Sequence, residues 1–263
     1  MNKDLLEISD GKLYGNNDMA KISCRDCTGC SSCCRDMGES IWLDPYDIFQ
    51  LTRNLGVQFV ELLNAEENQK SVEEMKQEAV FKKSDMGMPS AMWQNTSIAK
   101  VELHVEDGLI LPNLRMIGEG EPCCGFLNEE GRCSIHAFRP GLCRLFPLGR
   151  NYEDGRLTYF VLKDACPAPS KSKIKINKWL GIPRIKEYEK FLVEWHDLTK
   201  MLRAYYEEHR EEDAVIKAIN MKFLEIFYLT PYIENDFYQE FYGRLYKMKK
   251  FLENFISPEI FYV

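Results

Sequence analysis

The chain has 263 residues, 45% of them hydrophobic, enough for one medium domain or two small ones with an apolar core. Thirty-four basic against 41 acidic residues leave a net charge of −7, which argues against a nucleic-acid binder. The opening MNKDLLEISDGKLYGNN lacks the apolar run of a secretory signal, and no stretch approaches the roughly 20 apolar residues of a membrane span. The cytoplasm is therefore the expected compartment, with neither nucleic acid nor membrane as a partner.

Taken in chain order, Glu39–Leu43 reads as a short strand, and Asp44-Pro45 as a helix start with Asp44 as N-cap and Pro45 in the first turn. That helix carries Ile48, Phe49 and Leu51 and ends near Gly56. A second is expected from Gln58 to about Asn68, with Phe59, Leu62 and Leu63 on its apolar face. The polar stretch Val72–Pro89 shows no period and is read as a loop or weak helix. Ser97–His104 alternates as a strand does, and Asp107-Gly108 turns it into a partner strand at Leu109–Leu114. Arg139-Pro140 through Pro147 is read as a short helix, Arg156–Leu162 as a strand, and residues 170–178 (SKSKIKINK) as an edge strand or solvated linker. Beyond Pro183, apolar residues recur every three or four positions, giving an amphipathic helix from Ile185 to about Tyr206. Two more helices follow, Ala214 to about Leu229 and Phe237 to about Phe255, separated at Pro231. Their aromatics, among them Phe223, Phe227, Tyr228, Phe241, Tyr242 and Phe251, are read as core.

The ten cysteines lie between Cys24 and Cys166, and the last 97 residues have none. Five fall in the run CRDCTGCSSCC: Cys24, Cys27, Cys30, Cys33 and Cys34. The others are Cys123, Cys124, Cys133, Cys143 and Cys166. A gap of 88 residues separates the two sets, so a site that uses both clamps distant parts of the chain together. Adjacent Cα atoms are about 3.8 Å apart, below the roughly 4.4–6.8 Å an ordinary disulfide spans, so Cys33–Cys34 and Cys123–Cys124 are poor pairs. Cytosolic reductants keep most thiols reduced in any case. Metal ligation is the natural alternative, because a Cys-x-x-Cys turn aims two sulfurs at one point.

Cys27-Thr-Gly-Cys30-Ser-Ser-Cys33-Cys34, Cys124-Gly-Phe-Leu, Cys133-Ser-Ile-His136, Arg139-Pro140 and Cys143-Arg-Leu-Phe-Pro147 resemble, in this order, the YkgJ-type cysteine-cluster family, described as a zinc- or iron-chelating domain with the signature CxxCxxCC. The resemblance covers residues 24–166 and has His136 where that family has Tyr. More distantly it reaches the flagellin lysine N-methylases, which implies an iron–sulfur-dependent transfer of methyl groups to protein lysine as an alternative function. Carried over position by position, it implies Cys27, Cys30, Cys33, Cys34, Cys124, Cys133 and Cys143 as metal ligands, with Cys166 as an eighth. Cys24 and Cys123 are extras.

Soft thiolates suit both zinc and iron–sulfur centres. Cys24-x₂-Cys27-x₂-Cys30-x₃-Cys34 has the spacing of a bacterial ferredoxin, although Arg35 stands where Pro usually follows. With many thiols and few histidines, an iron–sulfur cluster is preferred, 4Fe–4S ahead of 2Fe–2S, with zinc as the alternative. Arg25, Arg35, Arg132, Arg139 and Arg144 are the candidates to neutralise such a centre, Arg144 first, and Phe126, Phe138 and Phe146 to keep it dry. No Cys-x₃-Cys-x₂-Cys triplet, G-x-G-x-x-G loop, HExxH or Walker A sequence occurs, and no catalytic residue is assigned. A catalytic centre predicts a substrate-sized cleft shared with the C-terminal helices, and a structural one a sealed site. The expected fold is α+β: a metal-binding cysteine-cluster domain over residues 1–176, then a helical region over residues 177–263. The expected function is metal binding by thiolates from two distant segments, with metal ions as partners and a protein partner or substrate in the methyltransferase and metal-chaperone or sensor alternatives.

Overall fold

The computed structural model describes residues 3–23, 30–63, 100–166, 168 and 170–256. The fold is α+β. A short helix α1 (Lys3–Ile8) precedes strand β1 (Met19–Ser23), which runs directly into the first cysteine segment. Helix α2 (Pro45–Leu55) begins and ends as its sequence dictates. The Asp44 carboxylate accepts from the Asp47 backbone N–H at 2.9 Å, and the Asp47 carboxylate accepts from the Asp44 N–H at 3.2 Å. Gly56 closes the helix at φ 69°, a left-handed conformation that glycine adopts without steric penalty.

The next helix, α3 (Phe59–Leu62), is shorter than the expected Gln58–Asn68. Leu63 turns extended and forms a parallel bridge with Val101, while Leu62 C=O accepts from Lys100 N–H at 3.2 Å. Pairing with a distant strand wins over local helix propensity there. Val72–Pro89 and residues 97–99 of the anticipated strand lie outside the described residues. Strands β2 (Val101–Glu106) and β3 (Leu109–Leu114) form the hairpin turned by Asp107-Gly108, in register from Val101↔Leu114 to Glu106↔Leu109. Glu39–Leu43 lies beside β3 through a Trp42↔Asn113 bridge but forms no strand of its own.

Two-residue strands β4 (Met116–Ile117) and β5 (Cys123–Cys124) pair antiparallel. They are followed by α4 (Gly141–Leu145) and the hairpin β6 (Leu148–Glu153) and β7 (Arg156–Val161). Strand β6 is absent from the sequence expectation, although Asp154-Gly155 at φ 50° and 66° repeats the turn chemistry of Asp107-Gly108. Strand β8 (Ser172–Lys175) pairs with β1, so the 170–178 run is strand at its centre and passes into α5 (Ile176–Leu180).

The C-terminal helices are α6 (Ile185–Glu208), α7 (Asp213–Leu224) and α8 (Phe237–Leu252). The expected single helix to Leu229 instead passes into a π-helical turn over Glu225–Leu229. Arg244, buried on α8, donates to the carbonyls of Ile226 at 2.5 Å, Thr230 at 2.7 Å and Pro231 at 2.7 Å, satisfying groups the altered turn frees. Trp195, Phe191, Phe223, Phe227 and Phe241 pack edge-to-face and stacked at centroid distances of 4.7–6.4 Å. The aromatics read as core are buried, except Tyr242 and Phe251, which are half-buried against it. This core continues into the rest of the chain. Tyr46 of α2 stacks among Tyr188, Phe237 and Tyr238, the Tyr228 hydroxyl donates to Leu43 C=O at 3.0 Å, and Asn220 holds the β2–β3 turn through Gly108 C=O and Ile110 N–H.

Candidate metal centre

The first cysteine segment reaches the second through backbone contacts. Arg35 forms an antiparallel bridge with Cys123, and Asp36 N–H donates to Pro122 C=O at 2.9 Å. Just before that bridge, Ser32–Cys34 winds one 3₁₀ turn, closed by Cys34 N–H to Ser31 C=O at 2.9 Å, which sets Cys33 and Cys34 side by side. On the other wall, the Asn128 side chain and carbonyl accept from Arg132 N–H and Gly131 N–H at 2.7 and 2.9 Å, folding a tight loop that brings Cys133 back beside Leu127. Cys143 sits in the middle of α4.

Cys30, Cys33, Cys34, Cys124, Cys133 and Cys143 line one cavity of about 300 Å³. Its apolar wall is Ile41, Leu114, Met116, Ile135 and Phe146, and among the described residues the lining contains Arg132, His136 and Arg139 but no carboxylate. Exposed Cys30, Arg132 and His136 stand at its mouth, so the cavity is open. Every described lining residue precedes β6, so among the described residues the C-terminal helices form none of the wall. Cys27 and Cys24 lie outside the described residues. Cys166 is half-buried and is not part of the lining, and Cys123 backs β5 beside Cys124 without entering it. All eight described cysteines are free thiols.

The thiols differ in acidity. Cys33 is pulled down to about 6, chiefly by a hydrogen bond from its neighbour Cys34 and further by the Arg139 cation, against the opposing effect of burial. Donating that proton pushes Cys34 up. Burial raises Cys124 to about 11, and raises Cys133 and, further, Cys143.

Arg132 and Arg139 face the thiols, but Arg144 does not. Its guanidinium donates to the carbonyls of Arg139 at 2.9 Å and Ala137 at 2.5 Å, stapling the turn ahead of α4. The Arg139 guanidinium contacts Nε2 of His136, and burial with the neighbouring arginines lowers the imidazole pKa. Phe146 is on the cavity wall and Phe126 is buried behind it, while Phe138 is half-buried outside the lining. The sequence reading missed Met116, Ile41 and Leu114, since nothing local marks an apolar residue as wall rather than core.

Among the described residues, no three Cys, His, Asp or Glu side chains are gathered tightly enough to hold a single metal ion. The sulfurs are distributed around the cavity and share its space. An α+β fold that brings thiols from both ends of an 88-residue gap to one cavity, with an apolar inner wall, defines a metal-binding protein. The family model described as "CxxCxxCC: Putative zinc- or iron-chelating domain" matches residues 26–167, more than half of the chain, and the chain belongs to that family. No curated protein and no solved structure matches it. Among the described residues, no helix is long and apolar enough to cross a membrane.

Proposed function

We propose that this protein holds an iron–sulfur centre, of the 4Fe–4S type, in the cavity lined by Cys30, Cys33, Cys34, Cys124, Cys133 and Cys143, its four ligands drawn from these thiols and Cys27 of the same motif. Metal binding itself follows from family membership; the choice of centre is the proposal. One observation carries it. Six thiols from both cysteine segments surround about 300 Å³ of shared space, room for a group of several atoms. The donor chemistry agrees: soft sulfur ligands, no carboxylate among the described lining residues, and Arg132 and Arg139 to offset the negative charge of the thiolates. Cys166 stands outside the cavity and is left out of the ligand set. Such a centre supplies one-electron chemistry when bound, and the apolar wall limits water at its inner side. The cytoplasm, where reductants keep thiols free, is the compartment this reading requires.

Anaerobic purification with iron, sulfide and zinc analysis tests it. The expected product is brown, absorbs near 400 nm and carries iron and acid-labile sulfide in similar amounts. A colourless protein with stoichiometric zinc from anaerobic, iron-supplemented cells overturns the iron–sulfur assignment in favour of zinc.

A further inference from the structure

Helix α4 carries Cys143 and has only five residues, too few to be stable alone, and its N-cap Pro140 offers no side-chain acceptor. Something outside the helix must hold its first turn. Asp47 Oδ1 accepts from Gly141 N–H at 2.7 Å, across 94 residues of sequence. The other oxygen of the same buried carboxylate closes the capping box of α2 on Asp44 N–H. A capping box uses one oxygen of its acid, so the second is free to bind α4, and Asp47 spans the two helices.

The space beside Gly141 is filled as well, with Asp47 Oδ1 itself 3.6 Å from where a Cβ would stand. A Cβ there would lie 2.2 Å from Tyr188 Oη and 2.9 Å from Arg150 Nη2, two groups that are themselves joined by an Arg150 to Tyr188 hydrogen bond of 2.9 Å. Tyr188 belongs to α6, beyond the stretch matched by the family model. The start of α4 is thus held between a carboxylate from α2 and a hydroxyl–guanidinium pair from α6 and β6.

We propose that Asp47, with Tyr188 and Arg150 behind Gly141, is a positioning residue of the cysteine cavity: it fixes the first turn of α4 and so sets where the Cys143 sulfur stands. The C-terminal helices then act on the site through Tyr188 without lining it. The proposal rests on Cys143 being a cavity ligand, and its test is chosen to read thiol placement apart from metal content.

The full-length protein, reduced and freed of metal by chelation, is treated with iodoacetamide, and the rate at each cysteine is followed by mass spectrometry. In Asp47→Ala, alkylation of Cys143 is expected to rise about tenfold, as befits the loss of one buried hydrogen bond, with Cys133 and Cys166 unchanged. Gly141→Ala, whose added Cβ meets Tyr188 Oη at 2.2 Å and so displaces the same turn, is expected to give the same Cys143-selective rise. Adding Tyr188→Phe to Gly141→Ala removes the obstructing hydroxyl and is expected to restore part of the native rate, the Arg150 guanidinium still lying 2.9 Å from the added Cβ. If Asp47→Ala does not fold, Asp47→Asn keeps a carbonyl oxygen for Gly141 and gives a smaller selective rise. Parallel acceleration at every cysteine, an unchanged Cys143 rate, or no rescue by Tyr188→Phe overturns the proposal. A wild-type protein that holds no iron overturns the iron–sulfur assignment and leaves these rates meaningful.

Discussion

The two ends of the fold are held by different means. Around α6, α7 and α8, rings such as Phe191, Phe223, Phe227 and Phe241 are fully buried against one another, and burial alone accounts for order there. Around the cysteine cavity the elements are two to five residues long, and they are joined by a bridge at Arg35↔Cys123, a two-residue β4–β5 pair and the Asp47–Gly141 bond. The contrast teaches that ring packing orders the helical region, while short backbone pairings and one buried hydrogen bond order the elements around the cysteines.

Metal removal is the largest perturbation of this contrast. Thiolate ligation of a structural ion contributes on the order of 10 kcal/mol to folding in small metal domains. Stripping the metal anaerobically is therefore expected to lower hydrogen-exchange protection most at Phe126–Ser134 and only in part at Gly141–Leu145, which Asp47 still anchors, while α6 and α8 keep theirs. Loss of protection in all helices at once would show that the two regions share one cooperative fate.

The converse perturbation removes packing. Phe241 meets Phe191 at 4.7 Å and Phe237 and Phe227 at 5.9 Å, and none of its side chain is exposed. Phe241→Ala is expected to cost roughly 3–5 kcal/mol, read as a lowered denaturant midpoint. The metal content of the protein that remains folded should stay unchanged. A loss of metal in step with stability would tie the cavity to the aromatic core more closely than the contacts through Tyr46 and Tyr228 suggest.

The same contrast explains how much the sequence disclosed. Helix α2 was legible to within a residue because its ends are chemical: Asp44, Pro45 and Gly56 each do locally what their side chains permit. Asp107-Gly108 made the β2–β3 hairpin readable in the same way. The early end of α3 was not readable, since it depends on Leu63 pairing with Val101 from a remote stretch. Nor was the π-helical turn at Glu225–Leu229, whose carbonyls are met by Arg244 from the following helix. At the site, six of the eight cysteines implied by the family resemblance line one cavity, Cys166 is not in its lining and Cys27 lies outside the described residues, and a motif carries no information on orientation. Arg144, as close to a cysteine as Arg132, turns to carbonyls instead, and Asp47 has no cysteine near it in sequence at all.

The smallest expected effect lies at the edge of the helical region, where the starts of α6 and α8 are tied together. Asp236 caps α8, accepting from Tyr238 N–H at 3.1 Å, and pairs with Arg184 Nη1 at 2.9 Å. Arg184 itself precedes α6 with a positive φ of 55°. The Arg184 hydrogen bond holds the Asp236 carboxyl below its ordinary value of 3.8. A carboxyl depressed by folding contributes stability that is complete above the unfolded-state value and is lost as pH falls through the folded one. Asp236→Asn keeps an N-cap acceptor and removes the charge, so it is expected to lower Tm slightly at pH 7 and not at all once the pH is well below 3.8. Both groups are exposed, and water screens the pair, which keeps the effect small. Thermal melts of the two proteins across pH 2–7 should converge at the acid end. A Tm difference that persists there would mean that Asp236 acts through its cap alone, and that the α6–α8 junction is held by the aromatic packing beneath it.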